Sequence, residues 1–164
     1  MAAPRTSLDV AARRLVQPEA ILVVLAFAFH TTWEFLQDPL FAGLAARLHA
    51  DVRIACLQAA AGDVGITLAS FYVAATTSRS RFWFVRPTNV AVAAWFLTGL
   101  LLTIAFEWRV AGNGEWVYAP AMPIVPILRV GLAPLAQWIV VPAILLFLIH
   151  RQFDGVGCVE RKTP

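Results

Sequence analysis

Charge is what this sequence has least of. Asp, Glu, Lys and Arg make up 14% of its 164 residues while 60% are hydrophobic; soluble domains carry about 25% charged residues. Mean hydropathy is +0.72. Such a balance excludes an ordinary soluble domain and implies an integral membrane protein. No polar stretch is long enough to form a separate soluble unit, so the chain reads as a single transmembrane domain over 1–164. The net charge is only +3, and the arginines stand at the ends of apolar runs rather than on one basic face. That excludes nucleic acid as a partner and reads as a topology signal. Cysteine is scarce too. Cys56 opens the second apolar run and Cys158 lies in the polar tail; placed on opposite sides of a membrane, they form neither a disulfide framework nor a CxxC zinc site. No internal repeat or low-complexity stretch is present.

The apolar runs dominate what remains. Met1 to Gln17 is a short polar arm with Arg5, Arg13 and Arg14. Ala26-Phe27-Ala28 has the small-residue spacing of a signal-peptide cleavage site, but the run continues to Leu36, which favours an uncleaved anchor. Pro18 and Glu19 suit a first helical turn. The first span is expected over about Ala20 to Leu36, near the lower limit for a crossing, and stops at Asp38-Pro39 because proline disfavours helix at the residue before it. Leu40 to His49 is expected to lie at the membrane interface as a short amphipathic piece. Further spans are expected over about Ile54 to Thr77, Val90 to Trp108 and Ile124 to Ile149, the last holding Pro126, Pro134 and Pro142 and therefore expected to kink. The sum is an all-α, integral membrane four-helix bundle. Three arginines in the N-terminal arm, three in the loop from Thr77 to Pro87, and Arg151, Arg161 and Lys162 in the tail put both termini and the middle loop in the cytoplasm. Multi-pass insertion is expected, in the plasma or inner membrane if the source is bacterial.

Ionisable groups inside spans are costly, so their default reading is functional. His30, Glu34 and Gln37 recur at helical spacing on the first span. Asp63, Thr67 and Ser70 do so on the second, and Gly99, Thr103 and Glu107 on the third. Each helix thus has one polar face that lipid cannot solvate. Gln137 and Trp138 lie near the middle of the fourth. Asp63, roughly 13–14 Å into its helix at 1.5 Å per residue, is the hardest to explain by snorkelling to water. The simplest arrangement turns these faces inward to form a pocket in the outer half of the bundle. His30, Glu34, Asp63 and Glu107 are the candidate catalytic residues. Trp33, Gln37, Thr67, Trp116, Tyr118, Gln137 and Trp138 are the candidate ligand-binding ones, with the outer loop that holds Trp116, Tyr118, Pro120, Met122, Pro123 and Pro126 as a lid.

These residues bring a family into view. His30-xxx-Glu34-Phe35, Asp63-xxx-Thr67, Glu107 at the end of a third span and Trp138-Ile139-Val140-Val141-Pro142 on the last resemble the EXPERA domain of emopamil-binding-type sterol isomerases and their ligand-binding relatives. The resemblance implies a four-span bundle in which a histidine and acids shuttle a proton to and from a sterol double bond while the tryptophan faces a cationic intermediate. Membrane terpene cyclases, with carboxylates and aromatics on a bundle, are a wider analogy. This chain departs from the pattern in having Leu135 where an asparagine is expected one turn before the tryptophan, Gln137 out of phase, and Asp rather than Glu as the second acid.

The chemistry stands without the family. A histidine beside a carboxylate in a dry site is suited to acid–base work, and an aromatic face stabilises a cation. The expected ligand is a lipophilic small molecule. Needing no cofactor, this first reading is an isomerase or cyclase. Three others stay open: one transition metal held by His30, Glu34, Asp63 and Glu107, proton-coupled transport through Asp63, and a non-catalytic accessory subunit. The last two imply a homodimer or a membrane-complex partner.

Overall fold

The computed structural model describes residues 17–42, 49–112 and 117–153. Among them are four helices long and apolar enough to cross a membrane. They are α1 (Pro18–Gln37), α2 (His49–Ser78), α3 (Asn89–Gly112) and α4 (Leu132–Phe153). Pro18 occupies the first turn of α1, where its missing N–H costs nothing. A 3-10 turn over Asp38–Leu40, built around Pro39, ends that helix. The Thr88 hydroxyl accepts the Ala91 N–H at 3.2 Å and caps the start of α3.

The helices form a ring in which α1 packs on α2, α2 on α3, α3 on α4, and α4 closes on α1. Contacts between partners fix their antiparallel sense. Glu19 at the start of α1 holds Arg81 just beyond the end of α2, while His30 further along α1 meets Thr67. On the other side, Trp95 donates to the Pro142 carbonyl and Gly99 packs on Trp138, so α3 and α4 run in opposite directions.

The two ends of the bundle differ in chemistry. At the arginine end the core is aromatic and dry, with Phe71, Trp83, Phe84, Trp95 and Phe153 buried together. His150 closes it by donating from Nδ1 to the Phe84 carbonyl at 2.8 Å. The Glu19 carboxylate takes two charge-assisted bonds from Arg81, and that hydrogen bonding raises the guanidinium's pKa. The opposite half holds the polar residues. On the outside the chain shows lipid-like faces, including Val24, Leu36 and Leu101.

Three expectations need correction. The fourth helix begins at Leu132, not Ile124. The intervening residues form a hairpin of β3 (Ile124–Val125) and β4 (Val130–Gly131), with Val125 opposite Val130. Pro126 disfavours helix at Val125, and Arg129 turns the chain at φ 54. A short apolar run reads alike as strand or helix, which is how the error arose. Pro134 consequently falls in the first turn of α4, and only Pro142 lies inside the helix, which continues through it. The second helix begins at His49, earlier than expected. Finally, the described start of the expected interfacial piece is a strand: β1 (Phe41–Ala42) pairs antiparallel with β2 (Val117–Tyr118), Phe41 opposite Tyr118. Residues 43–48 of that piece, and Trp116, lie outside the described residues. The all-α bundle therefore carries two small β ribbons at its polar end.

Gly99 is the tightest point between α3 and α4. A Cβ there would lie 2.2 Å and 2.6 Å from two Trp138 ring carbons. Gly99→Ala is expected to destabilise the bundle by about 1–3 kcal/mol through overpacking, read as a lower Tm in detergent. Gly65→Ala, where a Cβ meets nothing within 4 Å, should leave Tm unchanged or raise it.

Candidate functional site

Helical spacing puts His30, Glu34 and Gln37 on the inner face of α1 and Asp63 and Thr67 on that of α2. What joins them is Gln137 from α4, whose residue is only 2% exposed. Its amide nitrogen lies 2.8 Å from His30 Nδ1, 2.9 Å from Asp63 Oδ2 and 3.3 Å from Glu34 Oε1. An amide nitrogen has two protons, so three acceptors compete for them. The shorter distances assign the protons to His30 and Asp63. Glu34 Oε1 is supplied instead by Gln37 Nε2 at 2.8 Å, and Gln37 Oε1 accepts from Trp33 Nε1 at 3.2 Å.

That assignment fixes the histidine. With Nδ1 accepting, His30 carries its proton on Nε2 and donates it to Thr67 Oγ1 at 3.2 Å. His30 is fully buried, and its ring centroid is 5.2 Å from that of Trp138. Asp63 Oδ2 is 3.5 Å from His30 Nδ1, and the Asp63 side chain keeps 14% exposure. A continuous chain of donors and acceptors thus runs from Thr67 through His30 and Gln137 to Asp63. Ser70, third on the α2 stripe, bonds back to the Ile66 carbonyl and serves the helix rather than the network.

Glu107 comes to the site from the end of α3, where the Tyr118 hydroxyl donates to its Oε2. Burial, and then this bond to Glu107, raise the Tyr118 pKa, so the phenol stays a donor. Phe41 lies across the β1–β2 ribbon from Tyr118, ring centroids 5.6 Å apart. Tyr118 thus links the β1–β2 ribbon to α3.

These elements surround a cavity of about 640 Å³, within the roughly 300–1,000 Å³ usual for small-molecule sites. Glu34, Asp63, Glu107, Gln37, Gln137 and Trp138 line it. His30, Trp33, Thr67 and Tyr118 do not; they stand behind the lining and hold it. Asp38, Cys56, Gln58 and Thr103 line it in addition. Asp38 was read only as a helix stop. Gln58 shares a face with Gly62 and Ile66 at a spacing of four, a signal available in the sequence. Thr103 sat on the α3 stripe but was not singled out, and its buried hydroxyl oxygen has no hydrogen-bond partner. Four of the lining residues are carboxyls, and none of the described lining residues is Lys, Arg or His.

Among the described residues no three of His, Cys, Asp and Glu are grouped to hold a metal ion. His30, Glu34 and Asp63 instead converge on the nitrogen of Gln137, a donor. Cys56 is a free, buried thiol; Cys158 lies outside the described residues. Comparison with family models, with curated proteins and with solved structures gave no match.

Gln137→Leu removes the shared donor from His30 and Asp63. Each buried polar group left unpaired costs about 1–3 kcal/mol, so a clear fall in Tm is expected. Ser70→Ala, outside the network, should shift Tm far less in the same thermal-unfolding assay.

Proposed function

We propose that this chain is a multi-pass membrane protein, with both termini cytoplasmic, whose cavity takes a lipophilic ligand that is cationic or becomes so. The observation that carries this reading is the lining: Glu34, Asp38, Asp63 and Glu107 beside the Trp138 ring, with no positive side chain among the described lining residues. Like charges crowded in a poorly solvated cavity repel one another. The arrangement is favourable when one carboxyl keeps its proton or when a cation enters, and Trp138 adds an aromatic face suited to that cation.

Such a site can perform acid–base chemistry on an alkene of sterol or terpenoid type. A protonated carboxyl gives its proton to one alkene carbon and becomes a carboxylate. The neighbouring carbon becomes a carbocation, held against the Trp138 face. A carboxylate then removes a proton from an adjacent carbon, forming the shifted double bond and restoring the acid. In this reading Glu34 and Asp63 make the exchange: Gln37 holds Glu34, Gln137 holds Asp63, and both line the cavity. Glu107 is oriented by Tyr118. His30, excluded from the lining, is a positioning residue that acts through Gln137. The reading agrees with the function implied by the emopamil-binding-type resemblance, on this chain's own residues.

Two measurements test it. A tertiary amine with a fifteen-carbon isoprenoid chain should bind the purified protein, and Asp63→Asn should weaken that binding about tenfold or more, near 1.4 kcal/mol. Equal binding by wild type, Asp63→Asn and Glu107→Gln would sink the carboxyl-cavity reading. In D2O, membranes containing wild type but not Asp63→Asn should place deuterium at carbon in the sterol or terpenoid pool. Identical labelling in both would remove the catalytic step.

A further inference from the structure

Residues that face both the cavity and the outside mark its mouth. Gln58 and Gly62 on α2 and Phe106 on α3 line the cavity and are exposed, Phe106 by 51%. The membrane-length part of α2 starts at Val52. Gly62 lies ten residues from that start and sixteen from Ser78, about 15 Å and 24 Å at 1.5 Å per residue, well away from either end of the span. The end of the bundle is a different matter. There the β1–β2 ribbon brings Phe41 against Tyr118, and Tyr118 is bonded to Glu107.

Gly62 is the mouth residue that has no side chain. A Cβ built there meets nothing within 4 Å, so the residue is not glycine for want of packing space. A larger side chain at that position would project into the opening. Gly65, nearly one turn further, is also exposed and also meets nothing within 4 Å, yet it does not line the cavity. The two glycines differ in that one respect.

We propose that ligand passes between the cavity and the bilayer through the mouth bordered by Gln58, Gly62 and Phe106, and that the absence of a side chain at Gly62 sets the width of what is admitted. The inference rests on the cavity reading above for what the ligand is. It narrows the class to molecules already dissolved in hydrocarbon, whose bulk slides past Gly62 and whose polar or cationic group comes to rest among the carboxyls. Gln58 offers that group a hydrogen-bonding stop at the threshold.

Cys56, a free thiol on the cavity wall, allows a test that uses no ligand. In Cys158→Ser protein reconstituted in liposomes, N-phenylmaleimide, which partitions into the bilayer, should label Cys56. A sulfonated, membrane-impermeant methanethiosulfonate should not, from either side. Gly62→Phe should slow maleimide labelling tenfold or more, and Gly65→Phe less than twofold, with Tm confirming that both fold. Ala59→Cys in a Cys56→Ser background supplies a second thiol on the same wall in case the first reacts sluggishly. The proposal is overturned if the charged reagent labels as fast as the lipophilic one. It is equally overturned if Gly62→Phe behaves like Gly65→Phe, or if the lipophilic reagent reaches neither thiol. Labelling by the expected route without any amine binding would leave the mouth standing and remove the proton-transfer reading instead.

Discussion

One amide nitrogen holds the polar half of this protein together. Gln137 Nε2 faces a histidine nitrogen and two carboxylate oxygens with only two protons to give. Everything around it follows from that shortage. Gln37 must supply Glu34, which in turn requires Trp33 to satisfy the Gln37 carbonyl. His30 must present a bare Nδ1, which sends its proton to the Nε2–Thr67 side. Helices α1, α2 and α4 are thereby tied by groups that cannot be exchanged singly, since removing a member strands its partners away from water. Asp63, which looked hardest to justify from its depth alone, is the member that both belongs to this network and reaches the cavity.

The segregation of chemistry along the bundle makes such a site affordable in stability. At the arginine end the aromatic cluster is free of ionisable side chains and is closed by the Glu19–Arg81 pair and the His150–Phe84 bond. Packing there sets the spacing of the helices, so the opposite half can keep a cavity instead of filling it. Dense packing is what most helix bundles use to define a unique structure. Here it is concentrated in one half, and hydrogen-bond matching does the same task in the other.

The helices were legible in the sequence because apolar length and arginine placement are additive signals, insensitive to any one residue. The polar faces were legible for a related reason: spacing of three and four survives whatever the helices pack against. Contacts between helices are not encoded that way. Gln137 belonged to none of the polar stripes on the first three spans, yet it is the hub, because its phase matters only relative to α1 and α2. His30 was counted as a pocket residue because its type suggests chemistry, whereas the lining is decided by which side chain stands in front, and that is Gln137. The start of α4 was misread because Ile124, Val125 and Val130 are as suitable for strand as for helix, and the hairpin was announced only by Pro126 and by a turn at Arg129. The pairing of β1 with β2 joins segments far apart in the chain and left no local mark at all.

The seating of Trp138 on Gly99 has a mechanical meaning. The indole rests on backbone, not on a side chain that could swing aside, so the aromatic wall of the cavity moves only as α4 moves against α3. Cavity width and interhelical distance are therefore a single coordinate. A bulky occupant that presses on the ring would be felt as a separation of two helices at the dry end as well, where Trp95 reaches the Pro142 carbonyl. At Gly99, then, one contact sets both the seating of two helices and the position of the cavity's aromatic wall.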